Sequence, residues 1–284
     1  MSKPYSFIPL LKTKSHSINK NKTSGRINLQ IKVLNAIHIS MNEYDMEESG
    51  ILYKKFFRIK EQYAIPGTSI KGMIRNVSEM ISNSCIVVSR EAEKYMPDYK
   101  KNTCKNEYCI VCDTFGAMGK KSKIKVSDFI YKENSGESLV LGMPSLRAPK
   151  VGNLYIDNNI LRGYKIYNHG IESIMKKGKT KCECLMKGSI FNGYIIYEDL
   201  DEEELNLICY SLGLTGNFNN KIGYGKSAYY GSIEITTDNS YYIKCAEEYK
   251  NKASIDIRNN IDRLEKLYNF KNAKKVSDYE GSSY

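Results

Sequence analysis

Ile65-Pro66-Gly67-Thr68-Ser69-Ile70-Lys71-Gly72-Met73-Ile74-Arg75 is the stretch on which the fold turns. Its Pro-Gly-Thr-Ser portion supplies a turn and an N-cap, and Ile70, Met73, Ile74, Val77, Met80 and Ile81 then recur at helical spacing, which predicts an amphipathic helix over about 69–82. Upstream, beyond an irregular acidic stretch, Ile27, Leu29, Ile31 and Val33 alternate with polar partners as a half-buried strand. Downstream, a Cys-rich loop leads to a second strand over Lys123 to Tyr131, marked by Ile124, Val126 and Ile130.

Alternation returns at Phe191, Gly193, Ile195 and Tyr197. Asp201 then stands three residues before Glu204 as a capping pair, and Leu205, Ile208, Cys209 and Leu212 continue a second helix that Gly213 closes. Gly231 to Ile235 gives the last strand. The order strand, helix, strand, strand, helix, strand predicts an α+β fold with a ferredoxin-like (RRM-like) βαββαβ core. Ile257, Ile261, Leu264 and Tyr268 share one stripe of a C-terminal helix over about 254–270.

The resulting organisation is a basic N-terminal arm over 1–25, a ferredoxin-like domain over 26–240, and a C-terminal helix and tail over 241–284. The domain carries a Cys-rich insertion at about 85–122. A second insertion, at about 132–188, is rich in Gly, Asn and Lys without a period and reads as loops and hairpins. Disorder is expected in the last ten or so residues.

Forty-three Lys and Arg against 32 Asp and Glu leave a net charge of +11, a field that attracts polyanions. Residues 1 to 32 hold seven of the basic side chains and no acidic one, which reads either as a binding arm or as a solvated terminus. Twenty-three Tyr and no Trp offer stacking surface for single strands, although a low-GC genome produces the same bias. The sequence has neither an apolar run of the ~18 residues that span a bilayer nor the apolar region of a signal peptide, so a cytoplasmic protein without a membrane partner is expected. In that compartment the eight Cys are reduced thiols or metal ligands.

Five features carry chemistry. Lys71 and Arg75 stand four apart near the start of the first helix, where they either add charge to an anion-favouring helix end or form a solvated basic face. Lys221-Ile222-Gly223-Tyr224-Gly225-Lys226-Ser227-Ala228-Tyr229-Tyr230-Gly231 allows backbone amides close to a phosphate, with Lys226 for charge and Tyr224 or Tyr229 for stacking. A plain glycine-rich hairpin is the competing reading. A P-loop is excluded, because Asn220 stands where its first Gly belongs and the loop runs into a strand.

Cys104, Cys109 and Cys112 form C-x4-C-x2-C, and Cys85 is the candidate fourth ligand of a structural zinc site, with free thiols as the alternative. Cys182 and Cys184 are spaced as strand residues. His38 could contact RNA, act as acid or base, or be structural. Asp45, Glu47 and Glu48 could hold a divalent ion or assist RNA cleavage, or could simply be solvated.

Taken in order, these segments resemble the CRISPR-associated RAMP superfamily. Ile65 to Arg75 is similar to the signature at the start of that family's first helix, and Leu34-Asn35-Ala36-Ile37-His38-Ile39-Ser40 to its His-Ile-Gly segment, with Ser40 in place of the Gly. Cys109-Ile110-Val111-Cys112-Asp113-Thr114-Phe115-Gly116 resembles a Cys-x-x-Cys-x-x-Phe-Gly segment that Gly and Lys and then Ser127-Asp128 follow. Leu161 to Tyr167 is similar to an Arg-Gly-x-Lys-x-Tyr segment, and Ile222 to Gly231 to the family's glycine-rich loop.

The resemblance implies a backbone-type subunit of a type III effector complex in antiviral defence. Its partners would be guide CRISPR RNA, target RNA and the other subunits of the complex. It implies RNA contacts from Thr68, Ser69, Lys71, Arg75, Lys120, Lys121, Arg162, Lys165, Gly223, Tyr224, Gly225 and Lys226, and a hairpin within 132–180 that kinks the guide. Target-cutting members carry an Asp whose place falls here near Gly50 and Ile51, so a non-cleaving subunit is expected. The alternatives are an endoribonuclease, cutting target through Asp45 or processing guide through His38, and an unrelated zinc-stabilised protein that binds structured RNA.

Overall fold

The computed structural model describes residues 4–17, 19–86, 93–100, 104, 107–144, 155–173, 180–273 and 275. The chain opens with β1 (Tyr5–Ile8) and β2 (Thr23–Val33). Two hairpins follow, β3 (Ser40–Met46) with β4 (Leu52–Phe56) and β5 (Arg58–Ile59) with β6 (Gln62–Ile65). Next come α1 (Gly67–Met80), the short α2 (Ile110–Phe115), β7 (Ile124–Val126) and β8 (Phe129–Tyr131). The middle of the chain supplies β9 (Ser138–Met143), β10 (Ile156–Asp157), β11 (Ile160–Leu161), β12 (Tyr164–Tyr167) and β13 (Thr180–Leu185). β14 (Ile190–Leu200), α3 (Glu202–Ser211), β15 (Asn220–Lys221) and β16 (Ser232–Thr236) complete the core, and α4 (Ser240–Lys252) and α5 (Ile255–Tyr268) follow.

The larger sheet runs β15-β16-β2-β14-β8-β6-β5, with β7 also paired to β14. Its four predicted strands, β2, β8, β14 and β16, stand in the spatial order fourth, first, third, second, and all three pairings are antiparallel. That is the split β-α-β order, so the α+β, RRM-like expectation holds. β2 buries Ile27, Leu29, Ile31 and Val33 and turns Arg26, Asn28, Gln30 and Lys32 outward. Ile70, Ile74, Val77 and Met80 of α1 join the same core.

Three local expectations change. α1 begins at Gly67, and its N-cap is Pro66 without a side-chain cap; Thr68 and Ser69 lie inside the first turn. The capping carboxylate comes instead from across the sheet, where Asp128 Oδ1 accepts from the Gly67 N–H at 2.8 Å. The strand predicted over Lys123 to Tyr131 is two strands, because Ser127 exchanges its hydrogen bonds with Tyr194 and breaks the ladder. By contrast α3 has the expected capping box between Asp201 and Glu204.

The acidic stretch expected to be irregular is the β3–β4 hairpin, half of a second sheet ordered β3-β4-β13-β9. β3 is exposed almost throughout, so no alternation marks it. The stretch 132–188, expected as loops and hairpins, holds β9 to β13; its residues 145–154 and 174–179 lie outside the described residues. The single C-terminal helix is a pair. In α4, Tyr242, Cys245, Ala246 and Tyr249 form the buried stripe, and the Tyr249 ring lies 5.8 Å from Tyr210 of α3. The expected disorder of the tail falls almost wholly outside the described residues.

Along the basic arm, β1 pairs with β12, and backbone bonds from Thr13, Lys14 and His16 tie the segment to Tyr99, Asn83 and Tyr108. Among the described residues no helix is long and apolar enough to cross a membrane.

A Cβ at Gly67 would lie 2.3 Å from the Val126 carbonyl oxygen and 2.7 Å from that of Ser127. Gly67→Ala is therefore expected to destabilise the fold by about 3 kcal/mol in urea unfolding. Gly72→Ala, with nothing within 4 Å, should be neutral or gain ~0.5–1 kcal/mol.

Candidate nucleic-acid interface

α1 and the glycine-rich loop before β16 face each other across an open cavity of about 470 Å³. Ser69, Gly72, Met73 and Asn76 line the α1 side, at the spacing that puts them on one helix stripe. Lys165 and Tyr167 of β12 form a wall, Tyr268 of α5 another, and Asn220, Lys221, Ile222, Gly223 and Lys226 complete the lining. The loop is held in shape from behind: Tyr224 N–H donates to His38 O and Gly231 N–H to Ala36 O, both at 2.9 Å. Asn35 adds side-chain bonds to Tyr229 O and from Ser232 N. Gly223 sits at φ +85° with its Cα against the His38 carbonyl, and Gly231 at φ +84° packs on Ile222 O, so no side chain fits at either position.

Among the described residues, three lysines and no carboxylate line this cavity. Lys165 donates to Tyr155 Oη at 2.6 Å, with its ammonium 4.2 Å from the Tyr5 ring centroid and 4.8 Å from that of Tyr167. Lys226 donates to Gly223 O at 2.7 Å, and burial lowers its pKa. Burial, then repulsion from Lys226, pulls Lys221 down to about 7. Elsewhere the basins are charge-mixed: the one on the open sheet face pairs Arg26 with Asp128 and Asp238, and the one beside α3 holds Glu202, Glu203 and Glu248. An anion is favoured in the lysine-lined cavity alone among these.

Of the residues expected to contact RNA, Ser69, Lys165, Gly223 and Lys226 meet here. Gly225 and Tyr224 lie on the far side of the loop, Gly225 against Met143 and Tyr230 and the Tyr224 ring edge-on to His38. The Tyr229 ring is buried, so it offers no stacking face. Thr68, Lys121 and Arg162 are exposed. Lys221 and Gly72 lie within the quoted motifs but were not among the expected contacts, and Asn76 lies outside them; the spacing 69, 72, 73, 76 carried a second helical stripe that the apolar one overshadowed.

Lys71 and Arg75 sit on a different α1 stripe. Lys71 Nζ donates to Ser122 Oγ at 2.7 Å, and burial and the Arg75 charge lower its pKa. Arg75 donates to Glu79 Oε1 at 3.0 Å, to Gly116 O at 2.9 Å, and approaches Cys112 Sγ at 4.0 Å. Lys120 pairs with Asp113 at 2.6 Å.

Beside them, Cys85, Cys104, Cys109 and Cys112 hold their Sγ atoms within 4.8 Å of one another. The sulfur separations around Cys85 are 3.4, 3.7 and 3.7 Å. Four thiolates around a tetrahedral metal at ~2.3 Å would stand about 3.8 Å apart, so the cluster fits such an ion. Backbone N–H groups of Cys85 and Cys109 point at Cys109 and Cys104 Sγ, as suits thiolate acceptors. Cys182 and Cys184 are buried β13 residues.

His38 is fully buried after β2: Nδ1 donates to Glu183 O at 2.7 Å, and burial lowers its pKa. Asp45 lies exposed on β3, where Oδ1 accepts from Met46 N–H at 2.9 Å. Neither lines the lysine cavity.

The family model of the RAMP superfamily matches residues 30–234, a span that includes α1, the cysteine loop and the glycine-rich loop. No curated protein matches the chain.

Burial holds the Glu79 carboxyl above its ordinary range even with Arg75 beside it. Arg75→Met leaves that carboxylate unpaired and should destabilise the protein by about 3 kcal/mol at pH 7. Removal of the cation raises the folded pKa of Glu79 further, so the deficit is full above that pKa. It should shrink as pH falls towards the unfolded carboxylate range, which pH-dependent urea unfolding would measure.

Proposed function

As the chain belongs to the RAMP superfamily, a group of CRISPR-associated RNA-binding and RNA-processing proteins, we propose that it is a guide-RNA-binding subunit of a type III effector complex. The observation that carries this reading is the cavity between α1 and the glycine-rich loop, lined by Lys165, Lys221 and Lys226 and by no carboxylate among the described residues. A ribose-phosphate strand laid over that loop meets lysine charge, the hydroxyl of Ser69 and backbone that glycines leave uncovered. Sequence is then read by base pairing of the guide, and the protein supplies shape and charge.

The reading is of a non-cleaving subunit in antiviral defence, working in the cytoplasm with guide RNA, target RNA and neighbouring subunits. General base catalysis needs an imidazole within reach of a ribose hydroxyl, and the His38 ring is enclosed between Phe56 and Tyr224. Asp45 is exposed, but it stands outside the lysine-lined cavity.

In this reading the four cysteines hold structural zinc. Closing the loop 85–112 on itself, the ion would fix Gly116 and Cys112 under Arg75 and so hold the flank of α1. The nearby cations of Arg75 and Lys100 offset the negative charge of four thiolates.

Purification from the native host with sequencing of bound RNA should return fragments with repeat-derived ends; a defined structured RNA instead would favour the unrelated zinc-stabilised class. Repeat RNA and guide-matched target RNA should both survive incubation. Metal-free cutting lost in His38→Ala, or divalent-dependent cutting lost in Asp45→Ala, would replace this reading with an endoribonuclease. Lys165→Ala with Lys226→Ala should flatten the log–log salt slope of single-stranded RNA binding by ~1.4, the share of two phosphates. Elemental analysis should find about one zinc per chain, and prolonged chelation should lower the melting temperature.

A further inference from the structure

Lys221 is the most deeply placed cation of the lysine cavity. It is 5 % exposed, and among the described residues its ammonium makes one hydrogen bond, to Asn168 O at 3.1 Å. β15 fixes it there: Lys221 pairs with Ser232 in the ladder to β16. An ammonium has three donors, and a buried one is costly without a countercharge. Among the described residues no carboxylate faces it. The groups around it are Lys226 of the glycine-rich loop, Lys165 and Tyr167 of β12, Tyr268 of α5, and His169. His169 is committed to Ser232 Oγ and Asn219 O and, buried beside Lys221, is held neutral with its pKa down to about 3.

A fold that keeps two further lysines around a buried ammonium, and supplies no acid to it among the described residues, leaves the countercharge to a ligand. We infer that the cavity is a subsite for a single phosphodiester of an RNA strand, seated over the Lys221 ammonium with Lys226 beside it. This rests on the RNA-binding reading above and adds to it a specific anchor residue. Phosphate has the right chemistry: its two free oxygens can take the unused donors of Lys221 and the hydroxyl of Ser69, and Gly72 and Gly223 leave room at the rim.

The same geometry couples binding to protons. With an empty subsite, burial and Lys226 bring the Lys221 pKa down to about 7, and burial lowers Lys226 in the same direction. A bound phosphate favours the charged form and raises both. Below pH 7 the ammonium is already charged and affinity is at its maximum. Above it, binding must first return a proton to Lys221, so affinity falls by up to about tenfold per pH unit.

The test is titration of the full-length protein with an unstructured oligouridine between pH 6 and 9. Wild type should weaken as pH rises. Lys221→Arg, whose charge does not titrate, should bind with a flatter profile. Lys221→Met should bind more weakly at pH 6.5, with a salt slope shallower by ~0.7. Because it removes a buried charge it should melt no lower than wild type, so unfolding cannot mimic the loss. Wild-type binding that is flat in pH, with a methionine variant equal to it, would remove the Lys221 subsite and leave the RNA-binding reading standing. Failure of wild type to bind any RNA would remove both. Inorganic phosphate that raises the melting temperature where oligouridine does not would assign the pocket to a free anion and overturn the strand assignment.

Discussion

The start of α1 pressed into the break between β7 and β8 is the contact on which the rest of the molecule depends. Gly67 has no Cβ because the Val126 and Ser127 carbonyls occupy its place, and its N–H is taken by Asp128. This seat fixes where the helix begins and how it is rotated. Ile70, Ile74 and Val77 then face the core, Ser69, Gly72 and Asn76 face the lysine cavity, and Lys71 and Arg75 face the cysteine loop. A rotation of one residue, about 100°, would exchange these three environments.

The cysteine loop and the second helix are joined by a buried ionic chain. Lys123 is shared by Asp113 and Glu204, and Glu204 closes the capping box with Asp201. Asp201 in turn takes His16 Nε2 at 2.8 Å and the Asn19 N–H, which brings the basic N-terminal segment against α3. Such a chain is stabilising only while every member is satisfied. It links three distant stretches of sequence, 16–19, 113–123 and 201–204.

Much of this was legible in the residues. The βαββαβ order followed from period-2 runs at 27–33 and 191–197, from the helical stripe after Pro66, and from the Asp201–Glu204 pair, each a local rule that tertiary packing respects. Cys85 was recognisable as the fourth thiol because it follows α1 directly. The β3–β4 hairpin was hidden because β3 is exposed almost throughout and β4 carries no alternation, and α4 because its buried stripe is made of two tyrosines, a cysteine and an alanine. At the site, the glycine loop was visible from its composition. The partners of Lys71 and Arg75 were not, since Ser122 and Gly116 lie far from them in sequence. Lys221 lacked any local signal of burial; only the pairing of β15 with β16 reveals it.

The pairing of β2 has a consequence for biosynthesis. Its neighbours are β14, through Ile27 opposite Ile195, and β16, through Val33 opposite Ile233, so its hydrogen-bonding edges wait for chain made much later. Long-range pairing of this kind folds slowly and leaves apolar strand exposed in the interim. The lysine cavity is later still, because Tyr268 closes one wall. A nascent chain on the ribosome therefore has positive charge long before it has a pocket, and selective capture of a nucleic-acid strand begins only once translation has passed the final helix.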